Sequence, residues 1–302
     1  MGKVVLSMTD WEAQEVKFRC LGLDVAGLSW GAAEAPVILA LHGWLDNAAS
    51  FAPLVPYLLP KYRVVALDLW GHGRSSHRSA GTSYPILDYV ALVEGARRFL
   101  SLDHLLLMGH SLGAGVAVLY AGSHPQHCER LLLIEGIGPL TDTPDHLPDR
   151  LFRHVGKMLA IDDQDKSGAS PHKRPHFYPD VAAAANVRHR ATGLDPGAAL
   201  LLAARGTKVV TGGVAWSTDP ALKIESQYRL TEEQVCAFLS RIDCPVGLVA
   251  ADSGFKFADG PALQNRLAAI RHLNHKVVSG SHHVHMEDPR VIAEFIHSFL
   301  LK

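Results

Sequence analysis

The sequence predicts an α/β protein with a doubly wound, mostly parallel sheet and an inserted helical lobe. Short, continuous apolar runs alternate with segments of helical length up to residue 138, as in parallel sheets whose strands are covered on both faces. This alternation stops at residue 139 and resumes after residue 223. We therefore expect a core formed by residues 1–138 and 224–302, and a lobe formed by residues 139–223.

The elements of the core follow in a regular order. Broken alternation with Gly22 and Gly27 predicts an antiparallel hairpin over residues 15–30. The apolar runs that predict buried strands lie at residues 37–41, 64–67, 105–108, 130–134, 246–250 and 275–278. Helices are predicted at residues 50–59, 85–100, 114–121, 261–270 and 290–301, and another begins at a capping box of Thr231 and Gln234. This alternation of strands and helices implies right-handed crossovers and a mostly parallel sheet.

The inserted lobe is rich in Pro, His and Asp. Its apolar stretches predict short helices at residues 151–161, 181–187 and 196–205. Arg205 and Asp219 are two charged residues of this lobe that are candidates for binding a polar group of a substrate. The alternative is a buried ion pair that secures the lobe.

Composition excludes several classes of protein. The 302 residues are 48% hydrophobic and 20% charged with a net charge of −1, which is typical of a globular protein and argues against nucleic-acid or anionic-membrane partners. The four cysteines are scattered without a C-x-x-C motif, which favours a reducing, cytoplasmic location. No signal peptide and no apolar run of about 20 residues is present, so we expect no membrane insertion. A small-molecule partner fits these observations best.

Residues 109–113 read GHSLG between a predicted strand and a predicted helix. Such a turn is very tight, so the flanking glycines are required and the serine hydroxyl projects above the sheet edge. This pattern indicates that Ser111 is a nucleophile. The backbone N–H of Leu112 would then point at the carbonyl oxygen of a bound substrate.

A serine nucleophile needs an imidazole base and a carboxylate that orients it. The loop after the final strand contains His282, His283 and His285; His282 comes first after the Gly-Ser turn and is the preferred base. Surface or capping histidines are the alternative, and a metal site is not expected because no ligand pattern accompanies them. Glu135 and Asp252 each follow a strand directly and both satisfy the chain order serine, acid, histidine.

Residues 41–44 read LHGW and leave their strand where a second oxyanion donor is required, so the amide of Trp44 is the candidate. His42 is expected to support that loop. Trp44, Phe51 and Trp70 are candidate walls of the substrate pocket, although aromatic side chains more often pack a core. Residues 68–76, DLWGHGRSS, lack the G-x-G-x-x-G spacing of a dinucleotide loop, so no cofactor is expected.

Together, the motifs HGW at 42–44, GHGRS at 71–75, GHSLG at 109–113 and GSH at 280–282 resemble those of the α/β-hydrolase superfamily, in the same order and over almost the whole chain. Within it, LHGWLDNA at 41–48, RGTKV at 205–209 and HHVHM at 282–286 resemble the serine hydrolase-like proteins. The resemblance implies an eight-stranded sheet, a helical cap over the site, and a serine, acid and histidine triad. Dehalogenases and epoxide hydrolases attack with Asp, whereas this chain has Ser111.

The resemblance also bears on the acid. Many superfamily members place it a few residues beyond the strand that ends here near Ala251, where this chain has Gly254. Others, among them haloalkane dehalogenases, use an acid directly after the strand that follows the nucleophile's helix, which corresponds to Glu135. The resemblance therefore favours Glu135, with Asp252 in reserve.

The expected function is that of a serine hydrolase acting on a small, largely apolar ester, thioester or lactone. Ser111 would form an acyl-enzyme with His282 as general base. A ligand-binding or receptor protein with little turnover is the alternative from another class. Amide or C–C bond hydrolysis and acyl transfer are the alternatives in related chemistry.

Overall fold

The computed structural model describes residues 12–167, 177–258 and 260–301. The strands are, in chain order, β1 (Gln14–Cys20), β2 (Leu23–Trp30), β3 (Val37–Leu41), β4 (Arg63–Leu67), β5 (Leu105–His110), β6 (Cys128–Ile134), β7 (Phe177–Tyr178), β8 (Thr207–Val210), β9 (Gly213–Trp216), β10 (Val246–Ala251) and β11 (Leu273–Val278). The α-helices are α1 (Val55–Leu58), α2 (Tyr89–Phe99), α3 (Leu112–Ser123), α4 (Leu147–Ser167), α5 (Val181–Thr192), α6 (Pro196–Gly206), α7 (Glu232–Leu239), α8 (Gly260–Ala269), α9 (Val284–Glu287) and α10 (Pro289–Leu300).

Over the described ranges, the main sheet has eight strands in the order β1-β2-β4-β3-β5-β6-β10-β11. β1 and β2 form the predicted antiparallel hairpin, and β2 pairs antiparallel with β4. From β4 to β11 every pairing is parallel. The predicted mostly parallel, doubly wound sheet is therefore confirmed, and its parallel strands end together at one edge.

Helices cover both faces of this sheet. Side chains of β3 alternate between two core clusters, with Leu39 and Leu41 on the α3 side and Ile38 and Ala40 on the α10 side. α3 has 12 residues and is buried along almost its whole length, which explains why its sequence is apolar on every side. In the part of the chain that the structure describes, no helix has the length and apolar composition needed to cross a membrane.

One predicted core helix is shorter than expected. Residues 50–59 were predicted as a helix, but α1 spans Val55–Leu58 and follows a separate 3₁₀ turn at Ala48–Phe51. Pro53 explains the break, since a proline lacks the N–H that a continuous helix requires.

The segment between β6 and α7 contains α4, α5 and α6 and a small antiparallel sheet in the order β7-β9-β8. The sequence predicts its three helices but not the sheet, because strands of two to four residues are too short for a pattern of alternation. Asp180 and Asp195 cap α5 and α6, and Gly193 ends α5 with a left-handed conformation.

A buried ion pair joins this segment to the core. Arg205 of α6 is 5% exposed, and its guanidinium contacts the fully buried carboxylate of Asp68 and the carboxylate of Glu15. Asp219 accepts hydrogen bonds from the Tyr84 hydroxyl at 2.7 Å and from the Ala221 amide. Arg205 and Asp219, the two candidates for binding a polar group of a substrate, therefore both have structural partners in this protein.

Candidate active site

Ser111 occupies the turn between β5 and α3. Its φ of +53° and ψ of −114° are strained for a residue with a side chain. The flanking glycines make this turn possible: a Cβ at Gly113 would overlap the carbonyl of Leu41, and one at Gly109 would overlap the backbone of Gly113. The pattern G-x-S-x-G is thus required by close backbone contacts, and it leaves the Ser111 hydroxyl at the carboxyl edge of the sheet.

His282, in the loop after β11, contacts Ser111. Its Nε2 lies 2.9 Å from Ser111 Oγ, and its Nδ1 lies 2.9 Å from Glu135 Oε2. Because a carboxylate only accepts hydrogen bonds, His282 donates Nδ1–H to Glu135 and keeps the Nε2 lone pair for the serine proton. The geometry is that of a nucleophile, a base and an orienting acid.

Glu135 follows β6 directly and is 2% exposed, with a φ of +51°. Its carboxylate accepts hydrogen bonds from the amides of Ala251 at 2.5 Å and Phe255 at 2.9 Å. A Cβ at Gly254 would overlap this carboxylate. The loop after β10 thus forms a cradle for an acid that comes from a different strand.

Asp252, the other candidate acid, has a different environment. Its exposed side chain accepts a hydrogen bond from the Gly280 amide at 3.2 Å. This hydrogen bond to the backbone holds the pKa of Asp252 below its ordinary value. In this structure Glu135, and not Asp252, contacts His282.

The two other histidines of the loop point elsewhere. His283 Nε2 lies 3.2 Å from the carboxylate of Asp46. His285 is fully buried against the rings of Phe51 and His110, with centroid distances of 5.5 Å and 4.1 Å. Burial holds the pKa of His285 well below its ordinary value, so this ring is neutral. His282 is the member of the three that reaches Ser111.

Two backbone amides close to Ser111 in the fold are candidates for holding a substrate oxygen, one directly after Ser111 and one in the loop after β3. Leu112 is the first residue of α3, where an N–H has no acceptor within the helix. Trp44 lies in a tight turn that is closed by a hydrogen bond from the Asp46 amide to the Gly43 carbonyl and that contains Leu45 at a φ of +61°. Among the described residues, neither amide has a protein acceptor. Both are free to donate to a substrate oxygen.

The aromatic residues near the site differ in exposure. The Trp44 ring is about half exposed, and its Nε1 donates to the Leu222 carbonyl. Phe51 and Trp70, by contrast, are buried among the hydrophobic side chains on the two faces of the sheet. Two further aromatic residues that no sequence pattern indicates are Phe255 and Phe257, whose ring centroids lie 5.6 Å and 5.7 Å from that of His282.

His42 has a structural environment. Its Nε2 accepts a hydrogen bond from the Leu69 amide, so its Nδ1 donates to the Gly43 carbonyl. The Nε2 contact therefore joins the loop after β3 to the loop after β4, and the Nδ1 contact fixes the ring within its own loop. The latter is held by Asp68, which accepts hydrogen bonds from the amides of Ala48 and Arg74.

A family model described as alpha/beta hydrolase fold matches residues 36–289. The chain belongs to this family. A serine hydrolase-like protein of Dictyostelium discoideum is 30% identical over 93% of this chain and 79% of its own length. The α/β-hydrolase assignment that the motifs predict is therefore confirmed.

Two solved structures in this family resemble the chain over almost its whole length. A hypothetical protein of Pseudomonas aeruginosa PAO1 is 36% identical with a TM-score of 0.86, and covers 95% of this chain and 99% of its own. A thioesterase domain from the curacin biosynthetic pathway is 30% identical with a TM-score of 0.81 and the same coverage. The similarity to this thioesterase domain, together with that to the serine hydrolase-like protein, supports a hydrolase.

Proposed function

We propose that this α/β-hydrolase is a serine hydrolase that cleaves a small, largely apolar ester, thioester or lactone through an acyl-enzyme on Ser111. The observation that carries this proposal is the continuous hydrogen-bonded series Ser111, His282 and Glu135, with both distances at 2.9 Å. The strained Ser111 backbone and the two amides without a protein acceptor agree with this role.

Acylation begins when the substrate carbonyl lies above Ser111. His282 Nε2 takes the hydroxyl proton as Oγ attacks the carbonyl carbon, and the C=O electron pair moves onto oxygen. The amides of Trp44 and Leu112 donate to this oxyanion, and Glu135 stabilises the imidazolium through Nδ1–H. His282 then gives its proton to the leaving oxygen or sulfur, and the C–O or C–S bond breaks.

Deacylation repeats these steps with water. His282 removes a proton from the water as it attacks the acyl carbon, and the same two amides hold the second oxyanion. Collapse of this intermediate returns the proton from His282 to Ser111 Oγ and releases the acid. Every proton is carried by an amino-acid side chain, so the mechanism requires no cofactor.

The surroundings of His282 support an apolar substrate. Phe255 and Phe257 pack together against the imidazole, and Trp44, in the turn that carries the proposed oxyanion amide, is half exposed. The similarity to a thioesterase domain supports including thioesters among the candidate substrates. We further propose that residues 139–223 form a cap over the site that selects the substrate.

A fluorophosphonate probe tests the nucleophile. We expect stoichiometric labelling of the wild type, no labelling of Ser111→Ala and strongly reduced labelling of His282→Ala. Ser123→Ala is the matched control, since this hydroxyl caps the far end of α3 by donating to the Leu119 carbonyl. A wild type that remains unlabelled contradicts the proposal.

Substrate class is tested separately with a panel of p-nitrophenyl esters and matched thioesters of increasing acyl length. We expect kcat/KM to rise with the apolar area of the acyl group, because its burial is favourable. Labelling of Ser111 without hydrolysis of any panel member would favour the ligand-binding alternative.

A further inference from the structure

A buried carboxylate lies behind the loops of the proposed active site. Asp46, in the loop after β3, is 2% exposed. Its Oδ1 accepts a hydrogen bond from Arg188 Nη2 at 2.6 Å, and its Oδ2 lies 3.2 Å from Nε2 of His283. A buried charge that lost such partners would be strongly destabilising, so these contacts determine where the carboxylate lies.

Arg188 reaches this carboxylate from α5, in the segment inserted between β6 and α7. Its Nη1 also donates to the Leu45 carbonyl at 2.8 Å. One guanidinium therefore holds the carbonyl of Leu45 and the side chain of Asp46, which are consecutive residues. Both belong to the turn that presents the Trp44 amide, and Leu45 is the residue of that turn with a positive φ.

The same carboxylate also contacts the loop of the base. His283 directly follows His282, and its ring is held by Asp46. On the other side, His110 Nε2 donates to the His282 carbonyl at 2.8 Å. The backbone at His282 is thus fixed at two points, and one of them leads through Asp46 to Arg188.

We propose that Asp46 and Arg188 are positioning residues. They hold the turn that presents the Trp44 amide, and the loop of His282, in place relative to Ser111. Turnover therefore depends on the contact of α5 with the core. The kinetic part of this inference rests on the proposed function. Neither side chain is needed to touch the substrate, and a displacement of about 1 Å at reacting groups can cost about 100-fold in rate. Loss of the contact should therefore lower kcat more than it changes KM.

The test compares Arg188→Met with Arg190→Met, a matched change at an exposed position of the same helix. With a p-nitrophenyl ester, we expect Arg188→Met to lower kcat by about 10–100-fold while KM stays within about threefold. Arg188→Lys keeps the charge but cannot bridge both acceptors, so it should restore part of kcat. Arg190→Met should match the wild type.

A double variant tests whether the two residues act together. Arg188→Met combined with Asp46→Asn should be no slower than the slower single variant, because both remove the same contact. A reduced melting temperature with wild-type kcat in Arg188→Met would show a purely structural role and overturn the inference. So would fully multiplicative losses in the double variant.

A second readout does not depend on turnover. The downfield proton resonance of the hydrogen bond between His282 and Glu135, assigned by its loss in Glu135→Gln, should shift in Arg188→Met and not in Arg190→Met. If the wild type hydrolyses nothing, the proposed function fails and this resonance alone decides the inference. An unchanged resonance in folded Arg188→Met overturns it.

Discussion

Replacement of Gly254 by alanine would disturb the proposed triad without altering any of its residues. The Gly254 backbone does not require a glycine, since its φ lies outside the left-handed region. The added Cβ would overlap both oxygens and the carboxyl carbon of Glu135. Because those oxygens also bind the amides of Ala251 and Phe255, either the carboxylate or the loop after β10 has to move.

The magnitude follows from the contacts that are lost. Displacement of Glu135 removes the acceptor for His282 Nδ1–H, and loss of the orienting acid in a serine triad costs up to about 10⁴-fold in kcat. Each backbone amide that loses its acceptor costs about 1–3 kcal/mol of stability. We therefore expect Gly254→Ala to lose about 100-fold or more in kcat and to be less stable.

The assay is steady-state hydrolysis of a p-nitrophenyl ester together with urea unfolding. Gly260→Ala is the matched control, since a Cβ at Gly260 contacts nothing within 4 Å. Measurements are made well below the unfolding midpoint, so that loss of folded protein cannot account for a loss of kcat. If kcat of folded Gly254→Ala equals that of the control, Glu135 does not orient His282 in the way that we describe.

Three further predictions concern the acid of the proposed triad, the buried ion pair of Arg205 and the buried His72. Glu135→Gln should lose about 10³–10⁴-fold in kcat, whereas Asp252→Asn should lose less than about tenfold; the reverse order in ester hydrolysis would make Asp252 the acid. Arg205→Met should lower the free energy of unfolding in urea by about 3–5 kcal/mol, because it leaves Asp68 buried and unpaired; a loss below about 1 kcal/mol would contradict this. Burial lowers the pKa of His72 to about 3, so the unfolded chain takes up a proton below about pH 6.5 before the folded chain does. The contribution of His72 to the free energy of unfolding is therefore full above that pH and falls by about 1.4 kcal/mol per pH unit as the pH drops towards 4. Urea titrations should show that the free energy of unfolding depends less steeply on pH in His72→Gln than in the wild type. An equal dependence would refute this.

The parts of the fold that follow from local sequence were predicted well. Buried parallel strands such as β3 and β5 are continuous apolar runs because helices cover both of their faces. The capping box of Thr231 and Gln234 is present at the start of α7. The small sheet of the inserted segment could not be predicted, because its strands are short and pair only through the folding of the lobe.

The residues of the candidate site also divide into those that local sequence marks and those that depend on long-range contacts. Ser111 is marked by a glycine whose need is local, since a Cβ at Gly109 would overlap the backbone of Gly113 in the same turn. The contacts of Glu135 are long-range: its carboxylate lies in a cradle formed more than 100 positions later in the chain, by Ala251, Gly254 and Phe255. A sequence pattern can show that Glu135 and Asp252 both follow strands, but not which carboxylate points inward.

The contacts of Asp46 likewise could not be predicted from local sequence. The polar pair Asp46 and Asn47 shortly after Trp44, the proposed oxyanion donor, is a possible signal, since a polar residue buried there needs partners. Those partners, Arg188 for Asp46 and the Leu202 carbonyl for Asn47, come from α5 and α6. Their positions depend on how the inserted segment packs on the core, which no local pattern specifies.

The central claim is that Ser111 carries the acyl group during turnover. Intact-mass spectrometry of an acid-quenched reaction with an activated ester tests it most directly, with peptide mapping to locate the adduct. We predict an increase of one acyl group on the peptide that contains Ser111, and its absence in Ser111→Ala. An acyl group on another residue, or hydrolysis by Ser111→Ala at the wild-type rate, would contradict the account.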